Sequence, residues 1–434
     1  MKIAFYTLGC KVNQYETQAI AETFERLGYE IVDFDQKADI YVINTCTVTN
    51  VSDRKSRQAI KRAKKNSPNS VVVVMGCYPQ VYPQEVQKID GVDIIIGTRH
   101  REKIVEYVTE YLKQKKKIFA VNDEYKRNSF EELKISSFNE RTRAFIKIEE
   151  GCEQFCSYCI IPYARGSVVS RSLSSILDEV ERLASNGYKE FVITGINISA
   201  YGKDLDYKVT LLDVVEEISK IEKVRRIRLS SLEPIVMKED FIKRLVGVDK
   251  LCHHLHLSLQ SGSDKILKLM NRHYTTDEYK QIVRMVRSYW DDVAFTTDII
   301  VGFPGESDED FERTVEFVEE IGFSRIHVFR FSPKKGTKAY SMPNQVSSAE
   351  KEKRSEILKS VARKLSFGFH KKFEGKIVEV LIEENSSFEG YCEGYSGNYI
   401  RTLVPKTESI KAGEIYKVKV KQAFEQYVIG DIIL

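Results

Sequence analysis

No stretch of the chain comes near the roughly 18 consecutive apolar residues that a membrane-crossing helix needs. The opening MKIAFYTLGC lacks the longer apolar run and the small-residue cleavage site of a secretory signal. The expectation is a cytoplasmic protein, whose eight cysteines are thiols or metal ligands rather than disulfides in reducing surroundings. A large net charge is also missing. At +4 over 434 residues, composition alone does not announce a nucleic-acid partner. One local run stands apart: DRKSRQAIKRAKK, residues 53–65, holds Arg54, Lys55, Arg57, Lys61, Arg62, Lys64 and Lys65. It is either a solvated helix face or a phosphate-contacting surface. Hydrophobic residues at 42% and charged residues at 30% fit a globular protein, and the length points to about three domains.

The rhythm of the chain divides in the same way. Over residues 1–115 the apolar runs KIAFYT, DIYVIN, VVVVMG and VDIIIG alternate with the amphipathic QYETQAIAETFERLG and VSDRKSRQAIKRAKK. That pattern predicts a parallel α/β sheet covered on both faces. A polar stretch at about 116–140 reads as a linker. Residues 138–368 then offer six strand candidates, AFIKI, EFVITG, RIRLSS, LHLSLQ, FTTDIIVG and RIHVFRF. Each of the first five is followed by a helical stretch, two of them closed by Gly187 and Gly322. Six such units predict a partial (βα)6 barrel, with its chemistry on the loops after the carboxyl ends of the strands. Residues 371–434 are β-rich with turns and suit a small five-stranded barrel.

GCEQFCSYCIIPYARG, residues 151–166, places Cys152, Cys156 and Cys159 just past the first barrel strand, at C-x3-C-x2-C spacing. Iron–sulfur clusters ordinarily take four thiolates. With three, one iron keeps a free position that the amino and carboxylate groups of S-adenosylmethionine can fill. A cluster electron then cleaves that cofactor to a carbon radical. Zinc is the alternative, although zinc motifs usually show paired C-x2-C halves and this loop has a solitary one. Buried unligated thiols are another. The triad and its barrel pattern resemble the radical S-adenosylmethionine superfamily over roughly residues 141–340.

Cofactor-binding candidates sit at strand ends: Gly195 and Asn197 in TGIN, Glu233 in SSLEP, Gln260 and Ser261 in SLQSGS, and Gly302 in VGFPGE. Glycines permit close backbone approach, and polar side chains can bond ribose or carboxylate. Strand-ending Gly and Ser also occur as plain turn residues. Arg272 could meet a carboxylate but reads as a surface arginine.

Cys10, Cys46 and Cys77 follow three successive strands of the N-terminal pattern. Loops after parallel strands emerge at one edge, where ligands gather, so these thiols either converge on a metal or are buried there by chance. TLGCKVNQYET, VINTCTVT and VMGCYPQ resemble the N-terminal domain of the methylthiotransferases. GCEQFCSYCIIPYARG, SLQSGSDKILKLMNR, DIIVGFPGE and FSPKKGTKAY resemble that family's radical domain, and the C-terminal segment looks like its RNA-binding TRAM module. The resemblance spans essentially the whole chain. It implies two 4Fe–4S clusters, one on Cys152, Cys156 and Cys159 and one on Cys10, Cys46 and Cys77, each with an open iron. The first generates a 5′-deoxyadenosyl radical; the second presents sulfur, with a second S-adenosylmethionine supplying the methyl group. It further implies a reducing electron donor and a sulfur source. Cys252 and Cys392 match neither set and read as ordinary core or near-surface residues.

The family divides among tRNA isopentenyladenosine, tRNA threonylcarbamoyladenosine and a ribosomal-protein aspartate. GCKVNQYET is most similar to the threonylcarbamoyladenosine branch, which implies C2 methylthiolation of that nucleoside next to the anticodon of tRNA. In relatives the position of Glu153 is often Asn, a departure that leaves the ligands intact. RNA enzymes usually seize unpaired loops, whose bases can be splayed out. Tyr391, Tyr395, Tyr399, Arg401, Lys417, Lys419 and Lys421 would offer aromatic faces and charge.

Overall fold

The computed structural model describes residues 1–127, 129–136, 142–386 and 388–433. Its N-terminal part is a six-stranded parallel sheet of β1 (Lys2–Thr7), β2 (Glu30–Val32), β3 (Ile40–Thr45), β4 (Val71–Gly76), β5 (Ile94–Ile96) and β6 (Ile118–Ala120), in the order β2-β1-β3-β4-β5-β6. β3 and β4 are buried along their whole length, as their unbroken apolar runs require of strands covered on both faces. On one face Tyr41, Ile43, Val72 and Val74 meet Ala59, Ile60 and Ala63 of α2 (Asn50–Asn66). On the other, Val42, Val71, Val73 and Met75 meet Ile20 and Phe24 of α1 (Lys11–Arg26). β2 and β6 escaped the sequence reading, and β6 lies in the stretch taken as a linker. Both are three-residue edge strands, half exposed, too short to show a period.

Six barrel strands stand where the sequence placed them: β7 (Arg143–Lys147), then, after the two-residue strands β8 (Glu149–Glu150) and β9 (Val169–Ser170), β10 (Glu190–Thr194), β11 (Arg226–Leu229), β12 (His254–His256), β13 (Ala294–Val301) and β14 (Arg325–Arg330). They pair as two parallel three-stranded sheets, β11-β10-β7 and β12-β13-β14. Parallel bridges Ile227↔Leu251 and Leu232↔Leu257 join the two halves. After the helix Ser348–Lys371 comes a closed barrel of β15 (Ile377–Asn385), β16 (Tyr391–Ser396), β17 (Arg401–Pro405), β18 (Ile415–Ala423) and β19 (Val428–Ile432).

The small barrel docks on the amino-terminal ends of the central strands. Arg228 donates to Glu190 at 2.7 Å and to the Gly397 and Ser396 carbonyls at 3.0 and 3.1 Å. Arg143 pairs with Glu383 at 2.5 Å, and the guanidinium of Arg228 lies 4.7 Å from the Tyr399 ring centre. Tyr395 and Tyr399 stack on each other at 5.0 Å. These two rings are therefore used in joining domains rather than held out as base-stacking faces, and Arg401 is tied to Glu393. Lys417, Lys419 and Lys421 do remain exposed along β18, alternating with buried Val418 and Val420. In α2 the basic run is divided. Arg54, Lys55, Lys61 and Lys65 are exposed, while Arg57, Arg62 and Lys64 are engaged by Tyr78, Asp35 and Asp93.

At the opposite, carboxyl-terminal edge the N-terminal sheet caps the barrel through a buried charge network. Arg101, Arg127, Lys147 and Arg165 pair with Glu16, Glu131 and Glu150. Arg101, Lys147, Arg165, Glu16 and Glu150 have side chains with 0% exposure, so each charge depends on its partners for the solvation it has lost. Arg101→Met is expected to lower stability by about 3–5 kcal/mol, as a shifted urea midpoint, and to hasten proteolysis of the 121–136 segment. An unmoved midpoint would show that the network contributes no net stability.

Candidate active site

The loop after β8 begins at Gly151, whose φ is +92° and whose absent Cβ would lie 1.9 Å from the Ser167 carbonyl oxygen. Only glycine permits that approach. Backbone contacts then pin the loop: Ser157 donates to the Met270 and Leu269 carbonyls at 3.0 and 2.8 Å. The Asn271 amide donates to the Gln154 and Phe155 carbonyls, both at 3.2 Å. Cys152, Cys156 and Cys159 are thus presented from a fixed loop. Arg272 corrects the sequence reading of a surface residue. Its side chain is 5% exposed, and it donates to Cys156 Sγ at 3.3 Å, to Tyr274 at 3.1 Å and to Glu233. No local pattern marked it, since its partners lie far off in sequence.

Asn197 and Glu233 therefore gather beside the triad. The Asn197 Nδ2 faces Cys152 Sγ at 3.9 Å, and its buried Oδ1 has no hydrogen-bond partner among the described residues. Its backbone N–H donates to Glu149 at 2.7 Å. Glu149 was not singled out from the sequence; burial raises its carboxyl to about 8. Gly195 makes room for that carboxylate, because a Cβ there would stand 2.7 Å from Glu149 Oε2. Gln260 sits in the left-handed region at φ +72°, a strained position for a residue with a side chain. Ser261 and Gly302 serve local packing. The Ser261 hydroxyl accepts from the Ser263 N–H at 3.2 Å. A Cβ on Gly302 would meet Lys351 at 2.3 Å, and its N–H donates to Glu306 at 2.9 Å.

The strand order β2-β1-β3 makes β1 and β3 a topological switch point, where ligands favour the carboxyl edge. Cys10 follows β1, Cys46 follows β3 and Cys77 follows β4. Asn13 ties the first two loops, donating to the Leu8 and Thr45 carbonyls at 2.8 and 3.0 Å and accepting from Cys10 Sγ at 3.5 Å. Thr45 Oγ1 accepts from the Tyr78 N–H at 3.3 Å, tying in the third. Arg165, unmarked in the sequence, donates to Cys77 Sγ at 3.3 Å and to Asn13 at 2.6 Å.

Among the described residues no three His, Cys, Asp or Glu close round a single metal ion. A cubane instead takes each thiolate at a separate iron corner, and both trios fit it chemically. Each has a guanidinium donating to one sulfur, and Asn197 adds an unpartnered amide oxygen beside the first. Burial pushes the Cys77 and Cys152 thiols up to about 12 and raises Cys46 and Cys159 as well. Ligation there must displace protons. Cys252 and Cys392 are buried.

Residues 146–318 match the radical SAM superfamily, 2–97 the uncharacterized protein family UPF0004, and 371–433 the TRAM domain. The chain is 41% identical over 435 residues to the threonylcarbamoyladenosine tRNA methylthiotransferase MtaB of Bacillus subtilis, covering 99% of this chain and 96% of that protein. It is 42% identical to the Aquifex aeolicus protein of the same name, covering 93% and 100%. A tRNA-2-methylthio-N(6)-dimethylallyladenosine synthase of Thermoanaerobacter pseudethanolicus is 38% identical, covering 87% and 81%. In fold, the methyltransferase TsrM of Kitasatospora setae, solved with cobalamin and a 4Fe-4S cluster, aligns with a TM-score of 0.59 at 16% identity, over 78% of this chain and 77% of that one.

A parallel half-barrel with this cysteine loop defines a radical S-adenosylmethionine protein, a class that works with that cofactor and a 4Fe–4S cluster. The chain belongs to the radical S-adenosylmethionine methylthiotransferase family, in its threonylcarbamoyladenosine tRNA branch. Arg272→Met is expected to leave Glu233 and Cys156 without their donor and to weaken S-adenosylmethionine binding about tenfold to a hundredfold. Equilibrium dialysis of reconstituted protein measures it; unaltered affinity would limit Arg272 to holding the loop.

Proposed function

We propose that this protein adds a methylthio group at C2 of N6-threonylcarbamoyladenosine in a tRNA anticodon loop, using two 4Fe–4S clusters. Cys152, Cys156 and Cys159 would hold one, and Cys10, Cys46 and Cys77 the other. When bound, the clusters and S-adenosylmethionine supply one-electron C–H activation, sulfur and the methyl group. The chain's own residues do the positioning. Asn197, Glu233, Gln260 and Arg272 orient the cofactor, while Gly195, Ser261 and Gly302 shape the strand ends around it.

One observation carries the reading. Arg165 lies six residues past Cys159 and donates to Cys77, so the loop of one trio is physically joined to a thiol of the other. Near-full-length identity to the two threonylcarbamoyladenosine enzymes supports the choice of nucleoside. The work falls to three parts: residues 1–115 for sulfur, 138–368 for the radical, and 371–434 with its β18 lysines for RNA. A low-potential electron donor and a sulfur source complete the reaction, and the setting is the cytoplasm.

Anaerobic protein is expected to hold about eight irons. Cys152→Ala should lose S-adenosylmethionine cleavage. Cys46→Ala should retain some cleavage while losing sulfur insertion, read by mass spectrometry of digested tRNA; equal loss of cleavage in both would contradict the division of labour. For RNA binding, replacing Lys417, Lys419 and Lys421 together by Ala should flatten the salt dependence by about one logarithmic unit per lost phosphate contact. An unchanged slope would move the RNA surface elsewhere.

A further inference from the structure

The inner face of β14 carries groups that the reading above leaves unused. Its side chains alternate. Ile326 and Val328 pack into the core with Leu358, Val361 and Leu365 of the helix Ser348–Lys371, while Arg325, His327 and Phe329 are exposed on the opposite face. His327 is tied there by its neighbours. Asp298, its register partner on β13, lies 3.2 Å from His327 Nδ1 and 3.4 Å from His256 Nε2 on β12. His256 Nδ1 and His254 Nε2 both meet Thr296 Oγ1 at 3.0 Å. One face of three adjacent strands therefore holds a single polar array, graded from His254, 5% exposed, to His327, whose side chain is 44% exposed.

On either side of His327 this face changes character. Phe329, two residues nearer the carboxyl end, is 46% exposed. Its register partner Ile300 packs into the apolar cluster that Tyr158 of the cysteine loop also joins, so the ring stands at the level of the first trio. Arg325, two residues the other way, lines a cavity of about 470 Å³ with Thr296, Lys359, Arg363 and Arg401. Among the described residues no carboxylate pairs with Arg325, whereas Lys359, Arg363 and Arg401 pair with Glu356, Glu425 and Glu393. An exposed ring, an imidazole with one nitrogen engaged and an unpaired guanidinium thus follow one another along about 13 Å of strand.

We propose that His327 and Arg325 are specificity-determining residues that bind a carboxylate on the N6 substituent of the substrate base, while Phe329 stacks on the base itself. The proposal rests on the functional reading above, whose nucleoside carries such a group on its threonyl part. An aromatic face accepts any base, so the choice falls to the two residues below it. A protonated His327 gives its Nδ1–H to Asp298 and its Nε2–H to the ligand, and Arg325 adds a fork of donors that matches a carboxylate. Strand spacing sets His327 roughly 7 Å from Phe329, comparable to the reach of an extended threonylcarbamoyl group. An isopentenyl group would leave both donors unpaired.

The test uses reconstituted protein and anticodon stem–loop RNAs that carry either threonylcarbamoyladenosine or its carboxamide, with affinity read by anisotropy and product by mass spectrometry. The parent protein is expected to prefer the carboxylate RNA about tenfold. His327→Leu and Arg325→Met should each shrink that ratio, and the double variant should bring it close to one. Phe329→Ala should weaken both RNAs alike, about fivefold to a hundredfold, and leave their ratio in place. Iron content and the thermal midpoint report that each variant is folded and loaded. A double variant that keeps the full preference overturns the proposal, as does a parent protein that methylthiolates threonylcarbamoyladenosine yet binds both RNAs equally. A parent protein that prefers the carboxylate in binding but methylthiolates neither RNA supports the subsite while overturning the functional reading.

Discussion

Arg165 and the buried charges around it hold the two halves of the site in one register. Four cations, Arg101, Arg127, Lys147 and Arg165, face three carboxylates, Glu16, Glu131 and Glu150. The set carries one positive charge too many, and Arg165 sits against the Cys77 sulfur. A buried surplus charge is costly without compensation, and the Cys77 sulfur that accepts from Arg165 supplies part of it.

The same network explains why sheet and barrel meet edge to edge. Parallel sheets leave the loops after their strands at one edge, and both sheets here turn that edge toward each other. The other end of the barrel is closed by a different device. Glu190 gathers Arg226 and Arg228 at the strand starts, and the small barrel lays its carbonyls and Tyr399 over the guanidinium groups. The central barrel is therefore sealed at its amino end by one neighbour and covered at its carboxyl end by the other, leaving a polar interior between.

Arg272 and Arg165 show where local reading stops. Both donate to a cysteine sulfur, one across 116 positions and one across 88. At such separations an arginine looks like any other. The aromatic residues of the terminal barrel failed for a related reason. Tyr395 and Tyr399 have the composition of a base-stacking face, but β16 and the turn after it set them against Arg143 and Arg228. β2 and β6 were missed because edge strands of three residues are ordered by their neighbours' hydrogen bonds, with no apolar period of their own.

What the sequence by itself determined is whatever a short window encodes: the C-x3-C-x2-C loop, the buried runs of β3 and β4, the six βα units, and the order of three domains. Apolar period and ligand spacing act over a few residues, so they survive in one dimension. Only the tertiary structure decided which thiol meets which guanidinium and that Glu149 is buried behind Gly195. Each of those depends on desolvation, and the degree to which a charge is removed from water is a property of everything packed around it.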